Sequence, residues 1–373
     1  MGNSRLYLDA NATTPLHPEI QKKWRKYWDV FGNPSSLHAE GREARNALDA
    51  AKERIGRVLG IPHRSLIVVG SGSEANSQVI ASVPEGGHII ISAVEHACIR
   101  NATAAAQRRG HPVTTVPVDE WGRVSVDVVA GAIQPDTQLI SIMTANNETG
   151  AIQPIAELAD LARSRGILFH TDAVQALGKT PFLGLESGPD LITISAHKIY
   201  GPKGIAVLVI RDTDRLKPMI WGGPQEHALR AGTEAVPLAM AFADAVELVE
   251  SERGDVMSRL AQLKGAFLDW FQTVSDVAIN SPEDGLPNTI NVSVQGISGE
   301  AIVRALDLNG IAISTGSACS TGSVEPSAVI RALGKPEWVT TGAFRVSMMR
   351  TTTSDDMHRF QTELNAIIRR LRG

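Results

Sequence analysis

Short, β-branched apolar runs alternate with amphipathic stretches along the first part of the chain, and this alternation constrains the fold more than any other feature. The runs are SLIVVG (65–70), HIIISAV (88–94), QLISIMTA (138–145), ILFHTDA (167–173), LITISAH (191–197) and GIAVLVI (204–210). Continuous apolar runs of this length, without polar alternation, predict strands buried on both faces. Between them, Ala44, Leu48, Ala51, Ile55 and Val58 recur at spacings of three and four, which is the stripe of a helix packed on one side. PIAELADLARSRG (154–166) closes on basic residues and glycine, the signature of a helix C-terminus. Strands separated by such helices predict an α/β architecture, a mainly parallel sheet covered on both faces.

The pattern changes after about residue 236. A long helical segment, PLAMAFADAVELVESERGDVMSRLAQLKGAFLDWFQTV, leads into NTINVSV, GIAIS and a last helix, SDDMHRFQTELNAIIRRLR. This predicts a second, smaller α+β domain hinged on the long helix. We expect the large domain over 14–248 and the small one over 1–13 and 249–373.

With 373 residues, 43% of them hydrophobic and 20% charged, the chain falls outside disordered and fibrous classes. A net charge of -4 supplies no basic field for nucleic acid or an anionic membrane. Its only cysteines are Cys98 and Cys319, too few for a disulfide framework or a four-cysteine zinc site. The N-terminal sequence has no apolar core of signal-peptide length and no run approaches a membrane span. The expectation is a cytoplasmic enzyme of small-molecule chemistry, with no metal, no direct nucleic-acid contact and no membrane.

In open α/β sheets ligands sit beyond the carboxyl ends of the strands. After SLIVVG comes Ser71-Gly72-Ser73-Glu74-Ala75-Asn76, a glycine turn opening a helix and able to cradle phosphate. Glu95-His96, Asn146-Asn147-Glu148 and His170-Thr171-Asp172 with Gln175 follow the next runs, and LITISAH delivers Ser195, His197 and Lys198 into the rigid turn Tyr200-Gly201-Pro202-Lys203-Gly204. Singly, each is an ordinary turn former or hydrogen-bonded interior group. Together they place a lysine able to form a Schiff base, a carboxylate able to hold a pyridine ring nitrogen protonated and an imidazole at one rim, the parts that pyridoxal 5'-phosphate (PLP) requires.

These residues belong to motifs that run nearly end to end: LDANATTPLHP, FGNPSSLHAEGREAR, GSGSEAN, EHACI, NNETGAIQPI, HTDAVQALGK, SAHKIYGPKG, GGPQEHALRAGT, LPNTINVS, STGSACSTGSVEPSAVIRALG and FRVSMMRTTT. In their order and content they resemble the PLP enzymes of fold type I in the class V aminotransferase family, and within it the cysteine desulfurases of the NifS/IscS type. The resemblance implies a large domain with a mainly parallel seven-stranded sheet plus a smaller α+β domain. It makes Lys198 the cofactor-linking lysine, Asp172 the partner of the ring nitrogen, Gln175 a donor to the ring oxygen and His96 the stacking acid or base. Gly72, Ser73, Ser195 and His197 then hold the phosphate, with Thr233 reaching the phosphate of the neighbouring subunit in a homodimer. Asn147 and Arg345 bind the substrate carboxylate, and Cys319 receives sulfur from L-cysteine to give alanine and a persulfide destined for an acceptor protein.

Cys319 sits in TGSACSTGS, whose glycines and serines favour a loop rather than a packed site, and that loop has the long form of the NifS/IscS subgroup. For Cys98 we expect a buried cysteine acting as a small hydrophobe. Departures from the usual pattern are Pro224 for a glycine, Ala231 for a serine, and Met349-Arg350-Thr351 for Gly-Arg-Phe. They leave the catalytic set intact but leave open which process receives the sulfur: iron-sulfur cluster assembly, tRNA thiolation or DNA phosphorothioation. An aminotransferase acting on a small amino acid would share Lys198 and Asp172 without needing Cys319, and a selenocysteine lyase would use the same chemistry on selenium.

Overall fold

The computed structural model describes residues 5–186, 188–316 and 326–372. Its strands are β1 (Leu6–Tyr7), β2 (Leu66–Val69), β3 (His88–Ser92), β4 (Val113–Val116), β5 (Thr137–Ser141), β6 (Leu168–Asp172), β7 (Leu191–Ser195), β8 (Ala206–Ile210), β9 (Val277–Ile279), β10 (Thr289–Val294), β11 (Ile311–Ala312) and β12 (Ala343–Ser347). A seven-stranded sheet runs β2-β8-β7-β6-β5-β3-β4. The pairs β4–β3, β3–β5, β5–β6 and β6–β7 are parallel, whereas β8 is antiparallel to both β7 and β2. Because β8 is reversed between them, β2 and β7 run the same way, so β2, β3, β5, β6 and β7 all present their carboxyl ends on one side.

All the apolar runs of the sequence become strands of this sheet, and β2, β3, β7 and β8 are buried at every position. The strand that escapes the apolar pattern is β4, VTTV, an edge strand with only Val116 buried. A strand exposed along one edge need not be apolar throughout. The predicted helical stripe forms the helix Ala39–Leu59, which buries Ala44, Leu48, Ala51 and Ile55 and ends at Gly60 in the left-handed conformation, where a Cβ would be strained.

The long helix spans Val236–Gln272. Its first half contributes Ala239, Phe242, Val246 and Val249 to a cluster shared with Leu48, Ile192 and Val207. Its second half contributes Leu260, Phe267 and Phe271 to another cluster, with Ile290, Val292, Phe344, Phe360 and Leu364. In this second region β12-β10-β9 form an antiparallel sheet, and β1 pairs with β11. Among the described residues no helix is long and apolar enough to cross a membrane.

One close approach is decided by glycine. At the start of the helix Gly299–Leu308, a Cβ on Gly299 would lie 1.9 Å from the Ala343 carbonyl oxygen. Backbone must move to admit it, so Gly299→Ala is expected to destabilise the chain by about 3 kcal/mol, the scale of overpacking. A lowered midpoint in denaturant titration with unchanged slope checks this.

Candidate active site

The aligned strand ends open on a cavity of about 250 Å³ lined by Gly72, Ser73, Asn76, His96, Cys98, Asn147, Asp172, Gln175, Ser195, His197 and Lys198, among others. The folding of the chain therefore gathers at one rim residues that the sequence separates by more than a hundred positions. Gly72 and Ser73 open the helix Gly72–Ala81, capped by the Ser71 side chain accepting from the Glu74 amide at 3.1 Å. The first amides of a helix have no partner inside it and carry its positive dipole end. Across the cavity, Asp172 terminates β6. Its carboxylate accepts from Asn76 Nδ2 at 2.7 Å and from the Val174 amide at 3.0 Å.

Lys198 follows β7, and the N-terminal segment holds it. Its Nζ donates to the carbonyls of Asn11 at 2.7 Å and Ala12 at 2.6 Å. Thr14 fixes that segment in turn: its amide and its hydroxyl both donate to the His197 carbonyl, at 3.0 and 2.9 Å, and its hydroxyl accepts from the Tyr200 amide at 2.7 Å. Tyr200 turns the chain at φ 65°. Burial, reinforced by the nearby Arg345 cation, pushes the Lys198 ammonium down to about 8, against the opposing pull of Asp172 and Asp9. Such a lysine is partly neutral near physiological pH, as a covalent amine must be. Burial together with Lys198 and Lys203 pushes His197 down to about 4.

His96 caps the helix Ala97–Arg108. Its Nδ1 accepts from the Cys98 amide at 3.2 Å, and an amide nitrogen can only donate, so the neutral ring carries its hydrogen on Nε2. Burial keeps the ring below the usual imidazole range, with Lys198 and Arg100 acting in the same direction and Asp172 against. Cys98 packs against the apolar cluster of Ile67, Val69 and Ile99, as expected of a small hydrophobe, and its sulfur has a second environment. It lines the cavity, with Sγ 3.0 Å from His96 Nδ1 and 3.2 Å from Asn76 Nδ2. Its apolar helical neighbours in the sequence conceal this, because the contacts arise from the cap geometry at His96. Burial, then Asp172, pushes its thiol up to about 11, so it stays protonated at neutral pH.

Arg345, on β12, stands outside the lining. It is 3% exposed and donates to the Asn147 carbonyl at 3.1 Å and to Asp9 Oδ1 at 2.5 Å. Thr233 is exposed and lines a separate cavity of about 120 Å³ with Glu226, Arg230 and Glu234. Cys319 lies outside the described residues. Sequence reasoning assigned no role to Asn11, Asn76 or Lys179. Asn11 ties the site together: its backbone carbonyl also accepts from Gln175 Nε2 at 2.9 Å, and its side-chain Nδ2 donates to the Asn147 carbonyl and to Thr289 Oγ1. The signal was present in the motif DANATTP, but an asparagine beside a turn carries no mark of its long-range partners.

Residues 6–360 match the family described as Aminotransferase class-V. The chain belongs to this family. Cysteine desulfurase IscS of Dictyoglomus turgidum is 41% identical over 375 residues, covering 98% of this chain and 95% of the relative. A NifS-like protein of solved structure superposes with a TM-score of 0.92 at 29% identity, over 98% of this chain and 99% of its own. SspA, solved in complex with cysteine, superposes at 0.82 with 32% identity, over 93% of this chain and all (100%) of its own. The chain is a cysteine desulfurase, and its family is PLP-dependent.

Proposed function

We propose that this cysteine desulfurase holds PLP in the cavity beyond β2, β3, β5, β6 and β7, linked to Lys198, and passes the sulfur of L-cysteine through Cys319 to an acceptor protein. The observation that carries the reading is the juxtaposition of a desolvated lysine with a buried carboxylate and a helix N-terminus in one cavity. The residues present fit the group. Gly72, Ser73, Ser195 and His197 would hold the phosphate, Asp172 the ring nitrogen and Gln175 the ring oxygen. A Cβ at Gly72 would stand 3.2 Å from Val174, so glycine keeps the cradle open at that end.

When bound, PLP supplies the electron sink that takes up charge released at the substrate α-carbon. The chain supplies the rest. Arg345 and Asn147 orient the cysteine carboxylate, the guanidinium being fixed beforehand by Asp9. Lys198 Nζ would be the base that takes the α-proton. His96 would stack against the ring and move a proton at Nε2. The Cys319 thiolate then attacks the substrate sulfur; the carbon-sulfur bond breaks, the carbon is protonated to give alanine, and the sulfur remains on Cys319 as a persulfide.

The functional unit is a homodimer in the cytoplasm. Thr233 is exposed and does not line its own chain's cavity, so a second copy is what would bring it to a phosphate. Residues 14–248 form the cofactor-binding domain, and 1–13 with 249–373 the smaller one; the separate clusters packed on the two halves of the long helix support a division near residue 249.

Capture of the cofactor tests the lysine assignment. Only the neutral amine attacks an aldehyde, so the rate at which apoprotein takes up PLP is expected to rise with pH and level off above about 8. Stopped-flow absorbance of the lysine-bound cofactor reads this directly. A rate that is flat across that range would remove Lys198 as the attacking amine.

A further inference from the structure

We propose that Lys179 is a positioning residue for the linkage between Lys198 and the cofactor: it turns the donor end of the Gln175 amide toward the cavity. The inference rests on reading the cavity as the PLP site.

Lys179 Nζ lies 2.6 Å from Gln175 Oε1 and 3.3 Å from Asn11 Oδ1. An ammonium has hydrogens to give and no lone pair to accept with. The amide oxygen of Gln175 must therefore face Lys179, and the NH2 group must face the other way. There it donates to the Asn11 carbonyl at 2.9 Å, the same oxygen that Lys198 Nζ reaches at 2.7 Å. A glutamine whose two amide ends look alike to most neighbours is thus given a single orientation, with its donor end toward the cavity it lines. The turn carrying both residues is itself pinned, because Gly178 takes a positive φ of 72° and its amide donates to Glu250 at 3.0 Å.

Lys179 is not part of the cavity lining. It borders a small pocket of about 30 Å³ on the other side of Lys198, with Gly178, Asn288 and Arg350. It therefore acts through Gln175 and Lys198 rather than on substrate. The charged groups that bear on Lys198 are Arg345, Asp172 and Asp9, and those that bear on Lys179 are Lys198 and Arg345. Burial, then those two cations, pushes the Lys179 ammonium down to about 7. At the pH where Lys198 titrates, Lys179 has largely lost its charge, so it acts through the Gln175 donor: a hydrogen bond given to the ring oxygen would compete with the proton on the linkage nitrogen and disfavour protonation there.

The test is a pH titration of the visible absorption band of PLP-loaded protein. Lys179→Met is expected to move the midpoint up by about one pH unit, the effect of losing one oriented hydrogen bond, while Lys179→Arg keeps the wild-type midpoint. Lys179→Gln, whose amide can accept from Gln175 as readily as donate to it and so fixes no orientation, is expected to move as the methionine variant does and serves if that variant does not fold. Equal cofactor content across the series excludes a merely structural effect. An unmoved midpoint in Lys179→Met or Lys179→Gln overturns the inference alone; a wild-type protein that gains no visible band with PLP overturns the cofactor reading, and the inference with it.

Discussion

Lys198→Ala is expected to lose the visible band of the bound cofactor and to lower alanine formation from L-cysteine by about 10⁴-fold, the upper range of what a single acid-base group supplies. Two roles end with one side chain. Lys198 is the amine that the Asn11 and Ala12 carbonyls hold at 2.7 and 2.6 Å, and burial with Arg345 brings it to about 8. In the proposed reaction it is also the base for the α-proton. No other lysine takes its place, because Lys179 is committed to Gln175 and Asn11 and lies outside the cavity lining. Absorbance spectra and alanine assays measure the two losses, and circular dichroism checks that the fold persists. Retention of the band with full turnover would exclude Lys198 from both roles.

Cys319→Ser is expected to keep the cofactor band and to lose sulfide production by roughly 100-fold or more, about 3 kcal/mol of barrier. A serine hydroxyl is not ionised at neutral pH and does not attack sulfur as a thiolate does. The remaining thiol offers no substitute. Cys98 is held protonated by burial and Asp172, and its sulfur is engaged with His96 and Asn76. The contrast between the two variants is informative: one removes the cofactor link, the other leaves it intact and stops the transfer.

The sheet was legible because its central strands are buried on both faces, which forces continuous apolar runs such as HIIIS and AVLVI. The same reasoning passes over β4, where Thr114 and Thr115 sit on a partly exposed edge, and β12, where the buried Arg345 and Ser347 interrupt the apolar pattern. In the site, the residues at strand ends announced themselves by position. Asp172 is the last residue of β6, and His197 and Lys198 follow directly after the end of β7. Asn11, Asn76 and Lys179 did not, because their meaning is in contacts across the fold: Asn76 with Asp172, Lys179 with Gln175, Asn11 with groups on several elements. Local sequence specifies which residues can donate or accept; only the closed structure specifies to whom.

The central claim is that sulfur leaves L-cysteine for Cys319. Protein loaded with PLP, given L-cysteine without reductant and digested after a single turnover, is expected to yield a Cys319 peptide heavier by one sulfur atom, together with an equal amount of alanine. Alanine released with Cys319 unmodified, or with the added sulfur on Cys98, would contradict it.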